Sequence, residues 1–204
     1  MVDSGIAFGD DTTPGIDVMT PDPAFIMDNL DRLDGLVITH AHEDHLGAVP
    51  YLWRKIRCPI YATPFSCGHL RRKLEYSGMV SEVDLIEVPV AGGFKAGPFS
   101  VDLVPAAHSI PEANILAIRT GAGLVVHATD WKLDPEPLVG KPTDEDALRA
   151  LGDEGVMALI CDSTNVFVDG EAGSEAVLRK SLVEIIGKCT GRVAVATFAS
   201  NVAR

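Results

Sequence analysis

The stretch Thr39-His40-Ala41-His42-Glu43-Asp44-His45 follows an apolar run and places three histidines and one aspartate within six positions. Imidazole and carboxylate groups are ligands suited to Zn²⁺, and a strand gives the loop that follows it a rigid base. In extended backbone, His40 and His42 point the same way and can share one ion. The turn after them lets Asp44 and His45 face a second ion. The stretch therefore predicts a two-metal site, because such a cluster is costly to bury in a core without metal.

Short β-branched runs alternate with helical patterns and loops along the chain, which is typical of an α/β layered fold. The runs that predict strands lie at 35–39, 59–62, 84–88, 99–104, 115–119, 124–127, 156–161 and 193–197. Because four of these runs follow one another closely between 84 and 127, we expect them to pair consecutively in one sheet. The patterns that predict helices lie at 45–53, 64–76 and 174–188. The segment 134–153 is rich in Pro, Asp and Glu and predicts a surface excursion.

The composition is that of a soluble globular protein, with 47% apolar and 23% charged residues. A net charge of −12 argues against broad electrostatic adhesion to nucleic acid, although it leaves room for a local basic channel. The apolar runs are far too short to span a membrane, so we expect a cytoplasmic protein without a membrane partner. The four cysteines have no CxxC spacing and predict neither a thiolate zinc site nor a disulfide framework.

The pattern His-x-His-x-Asp-His after an apolar strand resembles the signature of the metallo-β-lactamase superfamily. This resemblance implies an αββα sandwich and two later ligands, a histidine at a strand end and an aspartate that bridges both metals. His108 and Asp130 follow predicted strands and match in order, residue type and context. The zinc ligands implied by the resemblance are His40, His42, His108 and Asp130 for one ion, and Asp44, His45 and Asp130 for the other.

A closer resemblance is to the ribonuclease J family, in the β-CASP branch of this superfamily. The stretches Cys161-Asp162-Ser163-Thr164-Asn165 and Thr197-Phe198-Ala199-Ser200-Asn201 select that branch. The resemblance implies a metallo-β-lactamase domain over residues 1–160, lacking its first strand and C-terminal half, and the beginning of a β-CASP domain over 161–204. It also implies that Asp162 is an acidic catalytic residue near the metals and that Asp3 supports the ligand loop.

This family resemblance implies a zinc-dependent ribonuclease with endonuclease and 5′-to-3′ exonuclease activity, found in the cytoplasm and often forming dimers or tetramers. A hydroxide shared by two zinc ions would hydrolyse the RNA phosphodiester, with Asp44 and Asp130 among the catalytic residues. Two later histidine motifs of the family, one of which completes the second zinc site, have no counterpart before Arg204. We therefore expect the second site to be incomplete in this chain.

Two other functions remain open. A small-molecule hydrolase, such as a β-lactamase or lactonase, uses the same metal ligands for different chemistry. A catalytically weak fragment acting in an RNA-decay assembly is the third hypothesis. The stretches at 161–165 and 197–201 favour the ribonuclease. His69 is predicted to be a surface residue. The side chains of residues 163–165 either cap a turn, which is favoured, or contact a phosphate.

Overall fold

The computed structural model describes residues 1–198. Its strands are β1 (Ala7–Phe8), β2 (Val18–Met19), β3 (Leu36–Val37), β4 (Ile60–Ala62), β5 (Leu85–Glu87), β6 (Gly93–Ala96), β7 (Phe99–Pro105), β8 (Asn114–Arg119), β9 (Leu124–Ala128) and β10 (Val156–Cys161). Its helices are α1 (Ala24–Met27), α2 (Glu43–Leu46), α3 (Val49–Ile56), α4 (Pro64–Tyr76), α5 (Glu145–Glu154) and α6 (Glu175–Gly187).

Two larger sheets form the centre of the molecule. One sheet has the order β3-β4-β5 with all strands parallel. The other has the order β10-β9-β8-β7-β6, antiparallel except for the parallel pair β9 and β10. A parallel bridge between Val2 and Val37 places the first residues beside β3, and β1 and β2 form a separate hairpin. The ends of β3, β7 and β9 supply the segments that carry the candidate ligands.

The packing of β8 shows how the layers are arranged. Neighbouring side chains on a strand point to opposite faces. Leu116 accordingly packs with Val37 and Val101 between the two sheets, whereas Ile115 packs on the other face in a cluster that includes Leu151 of α5. Helices α2, α3 and α4 cover the outer face of the β3-β4-β5 sheet through a further buried cluster. The layers are therefore helix, sheet, sheet and helix, as predicted for an αββα sandwich.

Several predicted elements are found where the sequence places them. Helix α4 begins at Pro64 and ends at Tyr76, with Thr63 as its N-cap residue. Strand β10 and helix α6 match their predicted ranges to within a residue. Capping residues and uninterrupted apolar runs are local signals, so these boundaries did not depend on knowing the tertiary structure.

Other predictions about the elements were wrong. Strand β5 pairs with β4 in the other sheet, with Ile60 opposite Leu85, because α4 returns the chain to the edge of β4. The predicted helix at 45–53 is divided into α2 and α3. The predicted surface excursion at 134–153 contains all of α5 except its last residue, and the apolar face of that helix packs on the sheet through Leu151. Strand β6 was not predicted.

Residues 193–197 do not form the predicted strand. A strand needs a neighbour to satisfy its backbone groups, and none pairs with this segment within residues 1–198. The apolar side chains there and on α6 are largely exposed, with Val195 75% and Leu182 56% exposed. The division into domains at 160/161 stays a prediction, and part of the stretch at 197–201 lies outside the described residues.

The start of α6 is fixed by Asp134. Its buried carboxylate accepts hydrogen bonds from the backbone N–H of Glu136 and of Glu175 at 2.9 Å each. Burial opposes ionisation, but these two backbone donors, with Ser174 and Lys132, outweigh it and lower the pKa of Asp134 to about 2. The helix is therefore attached to the loop that follows β9.

All four cysteines are free: Cys58 and Cys67 are buried, as expected of packing residues, whereas Cys161 and Cys189 are exposed. Over residues 1–198, none of the helices combines the length and the apolar character that a membrane crossing requires. Cytoplasmic location and oligomeric state stay predictions.

Candidate metal centre

The candidate ligands come from three segments that meet at one edge of the sandwich. His40 lies shortly after β3 and is fully buried. His42 is the N-cap residue of α2, and that helix carries Asp44 and His45. His108 follows the end of β7, and Asp130 follows the end of β9. The sequence-predicted ligands are thus brought together, although up to 90 residues separate them along the chain.

The first group of donors contains His40, His42, His108 and Asp130, whose ligand atoms all lie within 4.8 Å of one another. His42 Nδ1 lies 3.0 Å from both His40 Nε2 and His108 Nε2, and His108 Nε2 lies 3.4 Å from Asp130 Oδ2. Four ligands around a tetrahedral zinc ion stand about 3.3 Å apart, given zinc–nitrogen bonds of about 2.0–2.1 Å. Both the donor types and the spacing fit a zinc ion.

The second group contains Asp44, His45 and Asp130, again within 4.8 Å. His45 Nε2 lies 3.4 Å from Asp130 Oδ1 and 3.7 Å from Asp44 Oδ2. The two carboxylate oxygens of Asp130 therefore face different groups, which is the arrangement of a ligand shared by two ions. The side chain of Asp44 is 68% exposed, so this side of the centre is open to a substrate.

Asp3 connects the N-terminal residues to the ligand stretch. It accepts hydrogen bonds from the backbone N–H and the hydroxyl of Thr39, both at 2.8 Å, and its Oδ2 lies 2.8 Å from His45 Nδ1. The Thr39 hydroxyl also lies 3.0 Å from that of Thr129, the residue before Asp130. A carboxylate on the outer nitrogen of a ligating histidine fixes the orientation of its ring. These contacts fit the supporting role implied for Asp3.

The charges in the centre differ between the two donor groups. Burial, and then the neighbouring imidazoles, lower the pKa of His40 far below its usual value and that of His108 to about 4. Burial alone would also lower the pKa of His45, but hydrogen bonds to Asp130 and Asp3 outweigh it and raise the pKa to about 10. The hydrogen bond from His45 lowers the pKa of Asp130, although burial alone would raise it. At neutral pH, the imidazoles of His40 and His108 and the carboxylate of Asp130 are therefore in states that can bind a metal, whereas a metal in the second group has to displace a proton from His45.

Comparison with known proteins identifies the family. The model of the beta-lactamase superfamily domain matches residues 11–152. The chain belongs to this superfamily. Ribonuclease J of Sinorhizobium meliloti is 45% identical over 204 residues, which cover all of this chain and 36% of that protein. Ribonuclease J of Corynebacterium glutamicum is 44% identical over 206 residues, covering all of this chain and 28% of that protein. The chain thus spans about a third of the length of these relatives.

A solved structure supports the same fold. The crystal structure of a protein of unknown function from Enterococcus faecalis V583 superposes with a TM-score of 0.54 and covers 74% of this chain and 38% of that protein. At 20% identity, this likeness concerns the fold alone.

Asp162, the predicted third catalytic residue, lies outside both donor groups of the described residues. Its Oδ1 accepts hydrogen bonds from the backbone N–H of Thr164 at 2.9 Å and from the Thr164 hydroxyl at 2.6 Å, within the predicted turn. Because β9 and β10 are parallel and Cys161 lies opposite Ala128, Asp162 is at the same sheet edge as Asp130. A catalytic role for Asp162 stays a prediction.

Residues that contact the candidate metal ligands or their neighbours were harder to find from the sequence. The prediction that His69 is a surface residue is wrong, because its side chain is half-buried and its Nε2 lies 3.6 Å from a carboxylate oxygen of Glu43. His69, followed by Lys73, lowers the pKa of Glu43, which burial would raise. Thr129 and Glu112 were also missed. Their only sequence signal is their position next to a ligand segment.

Gly5 is required where the N-terminal segment passes α2. Ser4 N–H donates to the carbonyl oxygen of His45. A Cβ at Gly5 would lie 1.6 Å from the carbonyl oxygen of Asp44. We expect Gly5→Ala to displace Asp44 and His45, to lower stability by about 1–3 kcal/mol or more, and to reduce bound zinc. Urea unfolding and metal analysis measure both effects.

The matched control is Gly68→Ala in α4, where an added Cβ meets no atom within 4 Å. Alanine there should raise stability by about 0.5–1 kcal/mol, because glycine is a poor residue for a helix interior. Equal stability and zinc content in Gly5→Ala and the unaltered chain would disprove the steric argument.

Proposed function

We propose that this chain carries the metal centre of a zinc-dependent ribonuclease of the ribonuclease J type, which hydrolyses RNA phosphodiester bonds. The observation that supports this most is the pair of donor groups sharing Asp130, in a chain that aligns with ribonuclease J relatives over its whole length. The superfamily model ends at residue 152, whereas these alignments continue to the end of the chain. The additional aligned segment favours a nuclease over the other hydrolases of the superfamily.

In this proposal each donor group holds one zinc ion. The first ion is held by His40, His42, His108 and Asp130, and the second by Asp44, His45 and Asp130. Two zinc ions held close together lower the pKa of a water molecule and stabilise the attacking and leaving oxygens of a phosphodiester. Since Asp44 is the exposed member of the second group, it is placed to orient the attacking water and take its proton.

The remaining residues at this edge act on the substrate and on the ligands. Asp130 holds both donor groups together through its two oxygens, and Asp3 keeps His45 in one orientation. Asp162 projects from the same sheet edge and, in this proposal, contacts the RNA backbone near the reacting phosphate through water or metal. RNA is the partner, and a homo-oligomer or RNA-decay assembly remains a further proposal.

The alternative of a small-molecule hydrolase is not favoured, but one experiment separates it from the ribonuclease. The zinc-loaded chain is incubated in parallel with 5′-monophosphorylated RNA, a β-lactam and a lactone. Because, within residues 1–198, the second donor group offers three ligands where the first offers four, we expect at most slow cleavage of the RNA, no turnover of the β-lactam or the lactone, and loss of that cleavage when zinc is removed by a chelator. Turnover of the β-lactam or lactone without RNA cleavage would contradict the proposal.

The hypothesis of a catalytically weak fragment is tested in the same assay. The control is the variant Asp153→Asn, which alters an exposed carboxylate of α5 away from the centre and should cleave RNA as the unaltered chain does. Zinc binding without cleavage of any of the three substrates would favour the fragment hypothesis.

A further inference from the structure

Helix α4 packs beside the segments that carry the candidate ligands. Phe65, His69 and Lys73 are spaced by four residues and therefore lie on the same face of the helix. Two carboxylates contact this helix, one at the side chains of His69 and Lys73 and the other at the backbone N–H of Phe65, and both come from segments that carry ligands. We call residues 39–45 the first ligand segment and residues 107–112 the second ligand segment. Neither carboxylate, Glu43 or Glu112, belongs to a donor group of the described residues.

Glu43 fixes the first ligand segment to α4. It stands between His42 and Asp44, yet its carboxylate is directed at the helix, where Lys73 Nζ lies 2.7 Å from Oε1 and 2.8 Å from Oε2. The two side chains are 24% and 27% exposed, so solvent screens this ion pair less than an open surface pair. A Cβ at Gly47 would lie 2.7 Å from Glu43 Oε2, so the absence of a side chain there leaves room for this conformation.

Glu112 fixes the second ligand segment to the other end of the same helix. Its Oε2 accepts a hydrogen bond of 2.8 Å from the backbone N–H of Phe65, in the first turn of α4. That N–H has no partner within the helix, and a carboxylate there also interacts favourably with the helix dipole. Glu112 adopts a positive φ of 57°, which is uncommon for a residue with a side chain. The side-chain amide of Asn114 donates to the carbonyl oxygens of Glu112 and Thr39, joining the two segments directly.

We propose that α4 positions the two ligand segments relative to each other, with Glu43, Lys73 and Glu112 as positioning residues for the zinc ligands. The proposal rests on the proposed metal-binding function. The two segments are more than 60 residues apart in sequence, and zinc ligands must be held to within about 0.5 Å. A helix whose Leu70 and Leu74 are fully buried in the core provides a rigid connection between them.

The variant Lys73→Met distinguishes positioning from a simple charge effect. Removing a positive charge near a cation site should tighten zinc binding if charge alone matters. If Lys73 holds Glu43 and the first ligand segment in place, zinc binding should instead weaken by about 10- to 100-fold, as for other residues that orient metal ligands. Lys73→Arg keeps the ion pair and should restore most of the affinity.

Glu112→Gln tests the other end of the helix. It keeps the size of the side chain but replaces the carboxylate that accepts from Phe65 with a weaker neutral acceptor. We expect weaker zinc binding and a changed visible absorption spectrum when Co²⁺ replaces zinc, because that spectrum reports ligand geometry. The double variant Glu43→Gln with Lys73→Met should lose no more zinc affinity than the more damaging of its two single variants, because both changes remove the same contact.

The control is Arg54→Met. It removes the 2.6 Å ion pair between Arg54, which lies on α3, and Glu82, away from both ligand segments. Zinc titration by calorimetry and urea unfolding are measured for every variant, so a loss of affinity is separated from a general loss of stability. Unchanged or tighter zinc binding in Lys73→Met, together with an unchanged Co²⁺ spectrum in Glu112→Gln, would overturn the proposal. A failure of the unaltered chain to bind zinc would instead contradict the proposed function.

Discussion

Replacing His40 and His42 together with alanine is expected to abolish zinc binding at the first donor group. Both belong to the first donor group, and His42 Nδ1 lies 3.0 Å from the donor nitrogens of His40 and His108. After the double change only His108 and Asp130 remain in that group, and two protein ligands hold zinc far more weakly than four. Plasma emission spectrometry of the purified protein measures the zinc content.

The control for this variant is His127→Ala. His127 is a half-buried histidine of β9 that belongs to neither donor group, so its removal should leave the zinc content unchanged. Circular dichroism checks that both variants are folded. Zinc content in the double variant equal to that of the unaltered chain would show that the ligands are assigned wrongly.

Asp130→Asn is expected to weaken both zinc ions and to reduce RNA hydrolysis by several orders of magnitude. Asp130 Oδ2 faces His108 and Oδ1 faces His45, so both donor groups depend on this one carboxylate. Asparagine keeps the shape but presents an amide nitrogen, which does not bind zinc, to one of the groups. A two-metal reaction depends on the shared ligand more than on any peripheral residue.

Zinc titration and cleavage of 5′-monophosphorylated RNA measure the two effects of Asp130→Asn. Asp153→Asn, an exposed change of the same chemical type on α5, provides the comparison and should have little effect on either. Similar losses in the two variants would remove the basis for treating Asp130 as the bridging ligand.

Much of the fold could be predicted because its signals are local. The apolar run at 156–161 and the Thr63-Pro64 start of α4 identify an element without reference to the rest of the chain. The placement of β5 could not be predicted in this way. Its sequence reads as a strand in either sheet, and only the path of α4 brings it beside β4. Helix α5 could not be predicted locally either, because its short apolar face becomes recognisable only where it packs on the sheet.

The side chains that can bind metal were predictable from residue type and local spacing, because donor chemistry belongs to the residue and His40, His42, Asp44 and His45 lie close together in the chain. The packing of distant segments, by contrast, turns one oxygen of Asp130 to each donor group. It also decided that Glu43, although it stands between two ligands, is directed away from them towards Lys73. The direction of a side chain depends on which distant segments pack around it, and that information is absent from any short stretch of sequence.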